Sequence, residues 1–127
     1  MVIVPAYAAI FALIFTFLSA RTIRIRRSQK VAVGTGGNLL LERAVRVHGN
    51  FAEYVPISLI VLGFDEARLV SPIILHVLCM TLLVGRIIHA VGVAQTKENF
   101  KLRVAAMVLT LTTMAIASVV LLATYIF

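Results

Sequence analysis

Glu42 to Pro56, ERAVRVHGNFAEYVP, places arginines, a histidine, an asparagine and a glutamate in a stretch otherwise apolar enough to cross a membrane. Ionisable groups at the middle of such a helix cost roughly 2.5–3.5 kcal/mol each on insertion scales, so they face a protein interior and serve a purpose. Arg43, Arg46, Asn50 and Glu53 recur at i, i+3, i+7 and i+10. At about 100° per residue this spacing makes one stripe on a helix. The chain is therefore constrained to a helical bundle whose interior receives that stripe.

Composition agrees. The chain has 127 residues, is 61% hydrophobic and has a mean hydropathy of +1.06, more apolar surface than a soluble domain of this size can hide. Charged residues make up only 13% and cluster beside apolar stretches, so residues 1–127 read as one integral membrane domain. The net charge of +7 borders apolar spans instead of forming a soluble basic face. That excludes nucleic acid as a partner and points to an anionic ligand or to anionic membrane lipids. The single cysteine, Cys79, forms no internal disulfide and reads as packing. His48, His76 and His89 lie on different segments, so no metal site is expected.

Four spans are expected, at about 2–24, 40–64, 69–93 and 101–127. The first has no basic residue before Arg21, which argues against a cleaved signal peptide. Pro56 lies inside the second and removes one backbone donor. Residues 28–39, rich in glycine, are expected to form a flexible loop. Asp65-Glu66-Ala67-Arg68 is expected to be a solvated turn, and Gln95 to Asn99 a short loop with a helix start. Arg21, Arg24, Arg26, Arg27, Lys30, Arg43 and Arg46 crowd the first connection, and Arg86, Lys97, Lys101 and Arg103 the third, whereas the second carries Arg68 alone. The positive-inside rule then puts both termini outside and the first and third connections in the cytoplasm.

At a rise of about 1.5 Å per residue, Arg46 and Arg86 come to one level near the cytoplasmic edge, with Arg24 and Arg103 flanking it and Glu53 deeper. A cytoplasm-facing pocket for an anion follows. Arg21, Arg26, Arg27 and Lys30 suit snorkelling to lipid phosphates. Asn50 and Glu53 are too deep and too short for that. Glu53 serves either a ligand or a buried ion pair with Arg46 or Arg43. Gly85, His89 and Gly92 share a face that permits close helix approach.

Arg46 to Pro56, RVHGNFAEYVP, resembles the second-helix signature of the MAPEG family, the membrane-associated proteins in eicosanoid and glutathione metabolism. Ile23-Arg24-Ile25-Arg26-Arg27 is similar to that family's basic exit from its first helix, and Gly85-Arg86-Ile87-Ile88-His89 to its third-helix motif. The resemblance implies a four-helix homotrimer that binds glutathione between subunits. The contacts would be Arg24, Arg46, His48, Asn50, Glu53, Arg86, His89 and Arg103. Arginines would clamp the glutathione carboxylates, Glu53 would accept its ammonium, and Arg86 would face the second-helix stripe across a subunit interface. Glutathione as thiolate would attack an apolar electrophile arriving from the bilayer. The chain departs from glutathione-using members at Gly49, where they place an arginine, and at Val93, where they place a tyrosine. Val104 and Met107 stand where they carry serine and tyrosine, which leaves Tyr54 and Thr110 as the hydroxyl substitutes.

Two functions follow from that scaffold: a glutathione-dependent transferase or peroxidase, and a non-catalytic lipid-binding protein. A small multidrug transporter would also have four helices and an intramembrane glutamate, but it would not crowd its carboxylate with cations.

Overall fold

The computed structural model describes residues 1–95, 97 and 99–126. Thr96 and Glu98 of the third connection, and Phe127 at the expected end of the fourth span, lie outside the described residues. Four helices are present: α1 (Ile3–Gln29), α2 (Leu39–Ala67), α3 (Pro72–Ala94) and α4 (Phe100–Ile126). Each is long and apolar enough to cross a membrane, and there is no strand among the described residues.

Local chemistry accounts for the helix ends. α1 runs past its expected end because Arg26 and Arg27 occupy its last turn, where cations favour the negative end of the dipole. It stops at Lys30, whose left-handed backbone (φ 54°) returns the chain and bonds the terminal carbonyls. Asn38 begins α2, its Oδ1 accepting from the Leu41 amide at 2.9 Å. α2 continues unbroken through Pro56 to Ala67 and leaves the helix at Leu69, where φ is 60°. Pro72 starts α3 at the position where a missing N–H costs nothing. Asn99 caps α4 through the Leu102 amide at 3.2 Å.

α2 and α3 form the middle of the bundle. α1 packs on both, α4 packs on both, and α1 and α4 do not meet. Phe11, Phe51, Leu62, Leu75, Leu78, Cys79 and Leu82 fill the core, with the Phe11 and Phe51 rings 6.0 Å apart. α3 and α4 approach closely where α3 is glycine. A Cβ on Gly92 would stand 2.9 Å from Leu102 Cβ, and one on Gly85 would stand 3.2 Å from Leu109 Cβ.

The first two connections are built differently. The first carries local contacts within its glycine-rich loop. Arg26 Nη1 donates to the Gly34 carbonyl at 2.7 Å, Asn38 Nδ2 donates to Gln29 Oε1 at 2.9 Å, and Gly36 is close-packed on Val31. Its glycines supply the positive φ these turns need. The second connection is no solvated turn. Asp65, Glu66 and Ala67 belong to α2, and Asp65 is fully buried. Glu66 accepts from the first amides of α1: Val2, Ile3 at 2.8 Å and Val4 at 2.9 Å. Arg68 donates to the Thr124 carbonyl at 2.6 Å and lies over the Tyr125 ring at 4.6 Å. Arg21, expected to snorkel, donates to the Ala94 carbonyl at the end of α3 at 3.3 Å. Glu66, Arg68 and Arg21 each sit on a helix end whose dipole they complement.

Two outcomes are expected in detergent unfolding. Glu66→Ala leaves three α1 amides without their acceptor and should cost about 1–2 kcal/mol; an unchanged midpoint would show that water replaces the carboxylate. Gly92→Ala should force α3 from α4 and lower the midpoint, at a cost of roughly 1–3 kcal/mol for overpacking.

Candidate functional site

Arg86 is the centre of the polar interior. It is 1% exposed, and the pitch of α3 aims it between α2 and α4. Nη1 donates to Asn50 Oδ1 on α2 at 2.7 Å. Nη2 donates to Thr110 Oγ1 on α4 and approaches Met107 Sδ at 3.7 Å. The guanidinium also lies 5.7 Å from the Tyr54 ring centroid. Its Nε has no hydrogen-bond partner. Every described partner of this buried cation is neutral, so its charge is uncompensated among the described residues. Such a group favours an anion wherever one can approach.

Thr110 is fully buried and its hydroxyl is committed. It donates its single proton to the Ala106 carbonyl at 2.9 Å and accepts from Arg86. It therefore has no proton left for another acceptor.

On the other side of Asn50 lies a groove of about 300 Å³ lined by Thr35, Glu42, Val45, Arg46, Gly49, Asn50 and Glu53. Three members of the polar stripe thus share one cavity, and Asn50 joins that cavity to Arg86. Arg46 and Glu53 are exposed in it, so Glu53 is not the buried half of an ion pair. Gly49 has open space where a side chain would stand, and the groove is wider there for lack of one.

His48 is on the opposite face. It stacks on Phe15 of α1, ring centroids 4.6 Å apart, and its Nε2 lies 3.0 Å from Ser19 Oγ. Ser19 gives its proton to the Phe15 carbonyl, so His48 Nε2–H donates to Ser19 Oγ. His48 lines a separate cavity of about 380 Å³ with Ser19, Thr22, Ile23, Arg26 and Val45. Val45 lines both cavities, which therefore adjoin around α2. Arg24 on α1 and Arg103 on α4 are exposed and line neither cavity. His89 is buried, at 4% exposure. The structure therefore joins Arg46, Asn50, Glu53 and Arg86, and sets His48 and Arg24 apart from them. The contact between Arg86 and Asn50 lies within one chain, not across a subunit interface. Ser19 carried no sequence signal, being a lone hydroxyl in an apolar run.

An apolar cavity of about 440 Å³ lies farther along the α1–α2 seam, walled by Phe11, Phe15, Phe51, Val55 and Leu59.

The model of the MAPEG family matches residues 4–123, nearly the whole bundle. This chain belongs to the MAPEG family. Among its relatives is inner membrane protein YecN of Escherichia coli strain K12, 36% identical over 86 residues, or 68% of this chain and 66% of that protein. YecN of E. coli O6:H1 strain CFT073 matches to the same extent. The match thus spans just under two thirds of either relative. MAPEG membership and four apolar helices make the chain an integral, multi-pass membrane protein. Within this MAPEG chain the stripe on α2 is divided in position: Asn50 bonds Arg86, while Arg46 and Glu53 are exposed on the groove.

The Arg86 cluster should behave as a unit. Asn50→Leu and Thr110→Val each strip one acceptor from a buried guanidinium and should cost about 1–3 kcal/mol in detergent unfolding. Combined with Arg86→Leu, either loss should be largely cancelled. Strictly additive losses would show that the three residues do not interact.

Proposed function

We propose that this MAPEG protein binds glutathione in the groove of Arg46, Asn50 and Glu53 and uses its thiolate, as transferase or peroxidase, on apolar electrophiles. The observation that carries this reading is the buried Arg86, uncompensated among the described residues, standing behind Asn50 at the wall of that groove. The donor set fits the peptide: a guanidinium for a carboxylate, a carboxylate for the ammonium, and an amide between them. A volume of about 300 Å³ is at the low end for a small-molecule site. A second copy supplying Arg24 and His48 would enlarge it. These two residues lie on the α1 side of the chain, so gathering all eight candidate residues around one ligand needs a neighbouring subunit. This supports a homotrimer with shared sites. Arg103, exposed on α4, would add to the cationic rim, and His89 would support it from the buried interior. By the charge bias of the connections, the site faces the cytoplasm and both termini lie outside.

In this scheme the bound thiol is held ionised by surrounding positive charge. Thr110 has no proton to offer it, which leaves Tyr54 and the groove-lining Thr35 as hydroxyls for the sulfur. The electrophile would enter from the bilayer along the apolar α1–α2 seam.

A second reading is a lipid-binding protein without catalysis. The commitment of Thr110 and the cavity walled by Phe11, Phe15, Phe51, Val55 and Leu59 favour it.

Calorimetry and thiolate absorbance on adding glutathione distinguish the two. Binding with thiolate formation is expected, weakened about 10–100-fold by Arg46→Ala, which removes one charged hydrogen-bonding partner. Because Arg46 is exposed, that variant should fold. Absence of both heat and absorbance at millimolar glutathione, with lipid retained in the purified protein, would establish the second reading.

A further inference from the structure

The end of α1 carries a groove that shares no residue with the one assigned to glutathione. Ile23, Arg26, Arg27 and Lys30 follow one another at i, i+3, i+4 and i+7, a single helical stripe. Lys30 turns the chain back, with the Val31 amide bonded to the Arg26 carbonyl at 3.1 Å. Val31 and Ala32 thereby form a second wall, and an open groove of about 370 Å³ lies between. We propose that this groove is a binding site for the headgroup of an anionic phospholipid of the surrounding membrane.

Three observations support that ligand. First, charge: residues 1–41 hold five basic residues (Arg21, Arg24, Arg26, Arg27 and Lys30) and no acidic one, and three of the five line the groove. Second, level: the first span ends at about Arg24, so Ile23 lies at the hydrocarbon edge, Arg26 and Arg27 about 3–4.5 Å beyond it and Lys30 about 9 Å beyond it. Apolar Ile23 faces the chains and the cations follow at headgroup depth, the polarity order of a phospholipid. Third, preformation: Arg26 is held by the Gly34 carbonyl, Val31 by Gly36, and the loop end by the bond between Asn38 and Gln29. The walls exist before any ligand arrives, unlike a snorkelling tail. A free phosphate would meet the cations but leave Ile23, Val31 and Ala32 unused, so the lipid is the source chosen here.

The test uses the full-length protein in neutral detergent, with phosphatidylglycerol, phosphatidylcholine and inorganic phosphate as separate probes. Thermal unfolding and native mass spectrometry of retained lipid are the readouts. Phosphatidylglycerol should be retained and should raise the midpoint, while the other two should not. Arg27 and Lys30 are exposed, so the Arg27→Ala/Lys30→Ala variant should unfold normally without lipid. It should bind phosphatidylglycerol roughly 30-fold more weakly, the effect of two basic residues near a membrane surface. A Lys97→Ala/Lys101→Ala variant removes the same charge elsewhere and should bind as wild type. The proposal is overturned if phosphatidylcholine or inorganic phosphate shifts the midpoint equally. It is also overturned if binding survives in the first variant, or falls equally in the second.

Discussion

A guanidinium buried among neutral partners is the constraint around which this bundle is organised. The cost of removing Arg86 from water is offset in part by two acceptors, Asn50 from α2 and Thr110 from α4, while Nε stays without a partner. That pairing sets the relative height of three helices, because both bonds are short and directional. It also explains polar residues in spans that could otherwise be wholly apolar. The charge itself stays uncompensated among the described residues, which is the property a binding site for an anion needs.

The helix ends obey the same rule. In lipid, terminal amides and carbonyls cannot be left to water, and neighbouring helices satisfy them here. Glu66 of α2 closes the start of α1, Arg68 the end of α4, and Arg21 of α1 the end of α3. Charges that a topology rule counts only as orientation signals therefore also cross-link the bundle. The interior and its ends hold α2 firmly, so its two polar faces open onto distinct cavities that meet at Val45.

Some of the candidate site was legible from spacing. Arg43, Arg46, Asn50 and Glu53 share one side by helical period, and the groove collects the last three. The same arithmetic puts His48 about 140° from Arg43, nearly opposite the stripe, and the structure stacks it on Phe15 accordingly. Gly85 and Gly92 read as a close-approach face and are one, against α4. The 65–68 segment misled because charges near a helix end resemble a solvated turn. Only the location of other helix ends shows them to be clamps. The loop glycines 34, 36 and 37 all take the positive φ that their residue type makes possible.

The chain's sequence by itself determined four membrane-length helices, their approximate limits, the side of α2 that is polar and the family to which the whole belongs. These depend on local periodicity and on the cost of charge in hydrocarbon, both readable one segment at a time. The tertiary structure alone decided which partners meet: Arg86 with Asn50 and Thr110, Glu66 with α1, and His48 with Ser19 instead of the stripe. Side-chain pairing depends on the rotation and height of each helix against its neighbours, and those are set by packing between segments distant in sequence.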